Sequence, residues 1–254
     1  MMRISANLGF LFREHGLPDA IRAAKATGFD AVECHWPYEE DPAAIRAALA
    51  ETGLAMLGLN TIRGHREGEV GLSALPGREA DARAAIDQAI GYAQEIGCRN
   101  VHVMAGITDD AAAFDTFVGN LAHAARRAEE AGVDLLIEPL NRRDTPGYVL
   151  AHTDLAMTLI EAVGSDRLRI MFDCYHMQIM QGDLVSTIRA LLPHIGHIQF
   201  AAVPDRTEPD AGEVDYGWLL PAIRDLGYEG WFGAEYRPER GDFAWLETFK
   251  ARGI

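Results

Sequence analysis

The sequence predicts an α/β fold, a single (β/α)8 TIM barrel over residues 1–254. Three observations carry this. Short apolar runs recur at intervals of roughly 25–40 residues, each after a helix-forming stretch that ends near a glycine. The runs number about eight, as a closed barrel needs. Several finish in an oxygen-bearing side chain, as when DLLIEPLN (Asp134 to Asn141) runs from Leu135-Leu136-Ile137 into Glu138. A ring of parallel strands would bring those ends to one face, where active sites of such barrels sit.

In chain order, Ile4 to Leu8 reads as the first strand and Leu17 to Thr27 as a helix with Leu17, Ile21 and Ala24 on one side. Gly28 ends it, and Ala31-Val32-Glu33 begins the second strand. Asp41-Pro42 supplies an N-cap and a first-turn proline for a helix over Ala43 to Glu51. Gly53 then precedes a strand at Met56 to Asn60. The Ala-rich stretch Glu79 to Ile96 puts Ile86, Ile90 and Ala93 on one face, and Gly97 leads to Val101–Met104. Gly132 and Gly164 play the same part before Leu135–Glu138 and Leu168–Asp173. A helix from Leu184 to Leu192 is expected to end at Pro193, ahead of a strand at Ile195 to Ala201. Tyr216 to Leu226 precedes Trp231–Glu235, and Phe243 to Phe249 closes the chain as a helix. Two long loops interrupt this spacing, Thr61 to Gly77 with Arg63, His65 and Arg66, and Ala202 to Asp215 with Arg206. Both belong on the face that holds the strands' carboxyl ends. The competing architecture, an open doubly wound sheet, lacks support because no G-x-G-x-x-G follows an early strand.

Composition narrows the function classes. The 23 basic against 38 acidic residues give a net charge of −15, which argues against a nucleic-acid binder. An anionic substrate would then need a local cluster of cations. Cys34, Cys98 and Cys174 are far apart and form no C-x-x-C pair, so neither a disulfide framework nor structural zinc is expected. The N-terminal MMRISANLGFLF lacks the pattern of a signal peptide, and no apolar run approaches the roughly 20 residues of a membrane span. A cytoplasmic protein acting on a small molecule, without nucleic-acid or membrane partners, is the expectation. Assembly into a homo-oligomer is left open.

The chemistry concentrates at strand ends. Glu138, Asp173, Gln199 and Glu235 lie at or near the carboxyl ends of the proposed fifth to eighth strands. A buried carboxylate there costs several kcal/mol (order of magnitude) unless something compensates it. Oxygen-rich ligands with one neutral amide suit Mg²⁺ or Mn²⁺, with Zn²⁺ or Co²⁺ also accommodated. One such residue alone reads as a rim polar; the set, at matching positions, reads as a site. His176 follows Asp173 in DCYHMQ and can either contact a substrate oxygen or pack as a loop histidine. His197 shares a strand face with Gln199 and lines the site or fills the barrel. Arg206, beside an acidic segment, reads by itself as a salt-bridged surface residue. Glu33 and Asn60 end strands and are expected as pocket walls. Trp36, Trp218 and Trp231 are expected to pack, with Trp36 placed to cover a small substrate.

As a set, IEPLN, DCYHMQ followed by GD, GHIQFA, PDRTEPDAGEVDY and GAEY resemble the hydroxypyruvate isomerase family. SANLGFLF, VECHWPY and ALPGRE extend the resemblance over nearly the whole chain. The family sits among sugar isomerases and epimerases with an endonuclease-IV-like barrel. The resemblance implies a divalent metal and interconversion of hydroxypyruvate with tartronate semialdehyde (2-hydroxy-3-oxopropanoate). By position it implies that Glu138 and Glu235 are catalytic glutamates that also bind metal. Asp173 and Gln199 match the other ligand positions, and His176 and Arg206 match substrate contacts. Many relatives carry histidine where this chain has Gln199. A larger ketose or 2-oxo-tetronate would suit the same site. Metal-dependent phosphodiester cleavage is disfavoured by the acidity and by a ligand set simpler than that of the zinc nucleases of this superfamily.

Overall fold

A computed structural model describes residues 2–253. Eight strands, β1 (Ile4–Asn7), β2 (Ala31–Glu33), β3 (Gly58–Asn60), β4 (Asn100–His102), β5 (Asp134–Ile137), β6 (Leu168–Asp173), β7 (Ile195–Phe200) and β8 (Phe232–Ala234), form one parallel sheet in the order β2-β1-β8-β7-β6-β5-β4-β3. The two end strands of that order meet. Val32 bridges to Met56 in parallel, Leu57 N donates to Val32 O (2.7 Å) and Cys34 N donates to Gly58 O (3.0 Å). The sheet is thereby closed into a barrel.

The helices α1 (Leu17–Thr27), α2 (Pro42–Thr52), α3 (Glu79–Ile96), α4 (Ala113–Ala131), α5 (Thr153–Val163), α7 (Leu184–Leu191) and α8 (Tyr216–Asp225) alternate with the strands. A short α6 (Cys174–Met180) continues directly from β6, and α9 (Ala244–Ala251) ends the chain. Local chemistry sets their limits. The Asp41 side chain accepts from Ala43 N at 2.9 Å, a cap that stabilises a helix start by about 1 kcal/mol. Gly132 ends α4 with φ at 71°, a left-handed turn that side-chain-bearing residues adopt at a cost.

Alternation along the strands separates core from site. Ile4, Ala6, Val32, Val101, Leu135, Ile137, Ile170, Phe172, Ile198, Phe200, Phe232 and Ala234 are buried under the helices. The intervening positions point into the barrel, and towards the carboxyl ends they are polar: Asn7, Glu33, His102, Asp173, His197 and Gln199, all buried. Among the described residues no helix is long and apolar enough to cross a membrane.

Four local expectations are corrected. The strand expected over Val101–Met104 ends at His102, because beyond it the chain pairs with the long loop: Met104 N donates to Thr61 Oγ1 (3.1 Å) and Ala74 N donates to Ala105 O (2.7 Å). The helix before β7 stops at Leu191, one residue short of the expected Leu192, and Pro193 lies in a 3-10 turn, Leu192–His194, that follows it. His176 is on a helix rather than a loop, since the Asp173 carboxylate accepts from Tyr175 N (2.8 Å) and caps α6. Trp218 is 63% exposed rather than packed, because α8 buries the stripe Tyr216, Leu219, Leu220 and Ile223 and Trp218 falls beside it.

Candidate active site

The carboxyl ends of β5 and β6 lie side by side, so Glu138, just past β5, and Asp173, closing β6, face one another. His176, one helical turn after Asp173, joins them. Its Nε2 is 3.7 Å from Glu138 Oε1 and 3.6 Å from Asp173 Oδ2, and one potential ligand atom from each residue lies within 4.8 Å of the others. The tautomer of His176 follows from its other side. Nδ1 accepts from the Asn141 backbone N–H at 3.1 Å, so the ring proton of the neutral imidazole is on Nε2. His176 therefore presents an N–H donor to the site, which fits contact with a ligand oxygen rather than with a cation.

Gln199 pairs in register with Asp173 across β6 and β7. Its Nε2 donates to Glu33 Oε2 at 3.1 Å, while its Oε1 is buried without a hydrogen-bond partner among the described residues. Glu138 Oε1 is in the same condition. Buried oxygens in this state are uncommon because desolvation is then uncompensated. Glu138 Oε1 beside the buried Asp173, with Gln199 at the register position next to Asp173, gives an oxygen-rich set that fits a divalent cation.

Glu235, just past β8, is held differently. Its Oε1 accepts from Asn7 Nδ2 (3.0 Å) and His35 Nε2 (2.9 Å), and its Oε2 accepts from Arg206 Nη2 (2.6 Å). Arg206 Nη2 also donates to Asp173 Oδ2 (3.3 Å), which joins Glu235 to the Asp173 cluster. Arg206 is not a surface residue: it is buried, and its guanidinium lies over the rings of Phe10 (4.9 Å) and Tyr175 (5.0 Å). Its backbone is left-handed, with φ at 58°. Its Nε–H is buried and unpartnered among the described residues, a donor left over for an anionic ligand.

These surroundings drive the carboxyls apart in proton affinity. Burial, with the charges of Glu235 and Asp173 close by, pushes Glu138 well above the usual carboxylate range. Burial also raises Asp173, with Arg206 pulling against it. Burial would raise Glu235 as well, but the Arg206 guanidinium and the hydrogen bond from His35 override it and hold this carboxyl low. Burial lowers His102 to about 4 and His176 well below its ordinary value, so both imidazoles are neutral at pH 7.

Reading the sequence singled out Glu138, Asp173, His176, Gln199, Arg206 and Glu235, and the fold brings all of them to one end of the barrel. It did not single out Asn7, His35, His102 or Asn141. Asn7 closes ISAN as Glu138 closes LLIE, so the same polar-after-apolar signal was present there. His102 was hidden by the overlong strand, which put it in mid-strand instead of at the end. Its ring nitrogens have no hydrogen-bond partner among the described residues, and Nδ1 is 3.7 Å from Glu138 Oε2.

Residues 21–250 match the family model described as xylose isomerase-like TIM barrel. The chain belongs to that family. Within it, the chain is 45% identical to a 2-oxo-tetronate isomerase of Cupriavidus necator, over 99% of this chain and 100% of that one. It is 36% identical to a hydroxypyruvate isomerase of Escherichia coli, over 98% and 100% of the two chains. A crystal structure from Brucella melitensis, titled as an AP endonuclease of family 2, superposes with a TM-score of 0.93 at 38% identity, over 98% and 99%. The first two of these relatives are named as isomerases of small hydroxy-oxo acids.

Proposed function

We propose that the protein is a divalent-cation-dependent aldose–ketose isomerase that interconverts hydroxypyruvate and tartronate semialdehyde. The observation that supports this most directly is the buried cluster of Glu138, Asp173 and His176, with an unpartnered Glu138 oxygen, beside a guanidinium with a spare donor and with Gln199 in register with Asp173. Glu138, Asp173, Gln199 and Glu235 would hold Mg²⁺ or Mn²⁺, which would supply Lewis-acid stabilisation of negative charge on the substrate's adjacent oxygens.

The chain's own residues do the rest. Glu138 removes a proton from the hydroxymethyl carbon and gives an enediolate. Return of a proton to the neighbouring carbon, with the hydroxyl proton passing between the two oxygens, completes the isomerisation. Glu138 suits the transfer because its oxygens have no partner closer than 3.7 Å among the described residues, so one can face the cation and the other the substrate, whereas both Glu235 oxygens are engaged. Glu235 contributes as a second acid–base group once Arg206 turns towards the substrate. His176 Nε2–H donates to a substrate oxygen, and Arg206 Nε–H to the substrate carboxylate. A second substrate, 2-oxo-tetronate, is favoured by the 45% identity to an isomerase of that name, and its reaction would use the same groups.

Glu138→Gln and Glu235→Gln should each reduce turnover by roughly 10²–10⁴-fold while the fold persists. Solvent-deuterium incorporation followed by NMR, with hydroxypyruvate and 2-oxo-tetronate compared in Mg²⁺ and Mn²⁺, tests the reaction and ranks the substrates. Full activity in either variant, or in chelator-treated protein, refutes the scheme.

A further inference from the structure

Glu33 is a buried carboxylate inside the barrel with no lysine or arginine partner among the described residues. Three donors converge on it instead. Ser5 Oγ donates to Oε1 at 3.1 Å, and His197 Nε2 and Gln199 Nε2 each donate to Oε2 at 3.1 Å. The space for it is made by Gly233. A Cβ there would fall closest to Glu33 Oε1, 2.8 Å from His197 Nε2 and 3.0 Å from Gln199 Cγ. Isolated from cations, this arrangement does little for the fold that apolar side chains would not do better.

Its consequence lies at Gln199. An amide has one accepting end and one donating end, and a carboxylate only accepts. Facing Glu33, Gln199 must spend its NH₂ inwards and turn its oxygen the other way. That oxygen is the buried one without a partner, on the residue in register with Asp173. The gap bordered by Glu33, Gln199, His197 and His102 leaves about 10 Å³ of room for water, enough for one molecule at most.

We propose that Glu33 is a positioning residue: it fixes the polarity of the Gln199 amide so that the chain presents an oxygen, not an NH₂, to the cation. This rests on the reading of the site as a cation site. Ligands placed by such partners lose about 10–100-fold in metal affinity when the partner is changed.

The test is a Mn²⁺ titration of the full-length, metal-free protein, followed by EPR, in a four-member cycle. Glu33→Gln introduces a donor that can capture Gln199 Oε1, and Mn²⁺ affinity should fall about 10–100-fold. In the Gln199→Glu background the ligand has two equivalent oxygens and no polarity to set. There Glu33→Gln removes a facing like charge, and affinity should rise. Glu33→Asp retracts the carboxylate from Gln199 without changing its chemistry and should also weaken Mn²⁺ binding, which keeps the proposal open to refutation if Glu33→Gln does not fold. A purely structural Glu33 would shift melting temperature and leave Mn²⁺ affinity within twofold in both backgrounds; that result overturns the proposal and leaves the cation site standing. Wild-type protein that binds no Mn²⁺ overturns the cation reading itself, and the proposal with it.

Discussion

Arg206→Ala removes the positive charge that holds two buried carboxylates together. Arg206 Nη2 is 2.6 Å from Glu235 Oε2 and 3.3 Å from Asp173 Oδ2, and neither acid has another lysine or arginine beside it among the described residues. Breaking a buried pair of this kind destabilises by about 3–5 kcal/mol, since the remaining charges stay buried and unpaired. The lost stacking on Phe10 and Tyr175 is contained in that figure. The backbone gives an internal control. With φ at 58°, residue 206 is in a region that non-glycine residues enter at about 1–2 kcal/mol. Arg206→Gly should therefore lose the same ion pairs yet be about 1 kcal/mol more stable than Arg206→Ala. Urea unfolding of metal-free protein measures both, and added Mn²⁺ should narrow the gap to wild type by restoring positive charge between the acids. An Arg206→Ala variant within about 1 kcal/mol of wild type, or a glycine variant less stable than the alanine one, refutes the account.

Other perturbations probe the same architecture. A Cβ on Gly9 would collide with the His35 ring, so Gly9→Ala should displace the donor 2.9 Å from Glu235 and lower stability by about 1–3 kcal/mol, a drop of several degrees in Tm by scanning fluorimetry; an unchanged Tm would show that His35 has room to move. His102 titrates near 4 in the native protein against 6.5 ordinarily. Below pH 6.5 the unfolded chain takes up a proton at His102 that the native one refuses, so this group's contribution is complete above pH 6.5 and about 3 kcal/mol of it is lost from metal-free protein as pH falls to 4. His102→Gln should flatten that slope in urea titrations, and an equal slope would remove His102 as its source. Cys34, Cys98 and Cys174 are buried, and burial lifts Cys98 to about 12 and the other two well above the ordinary thiol value. Ellman's reagent at pH 8 should find no thiol in native protein and three after denaturation; fast labelling before unfolding would contradict that burial.

The barrel was legible in the sequence because its strand and helix signals agree at each repeat. Leu17–Thr27 and Glu79–Ile96 have the limits that periodicity and a following glycine set. The carboxyl-end residues were legible for a related reason: Glu138, Asp173, Gln199 and Glu235 interrupt apolar runs where nothing in a core calls for a charge or an amide. The partners were not legible. Asn7 and His35 reach Glu235 from 228 and 200 residues away, and no local pattern reports a contact made only by barrel closure. Arg206 looked like a surface residue because its neighbours are Asp205 and Glu208; its true partners come from β6 and β8. His176 looked like a loop residue because α6, only 7 residues long, is too short to display a periodicity.

On each strand, one set of alternate side chains holds the helices and the other carries the chemistry. Substitutions on the inner set, such as exchanging an amide for an imidazole at residue 199, leave the contacts of Ile198 and Phe200 with their helices untouched. Selection can thus retune substrate or cation on this scaffold one inward position at a time without repacking the helices.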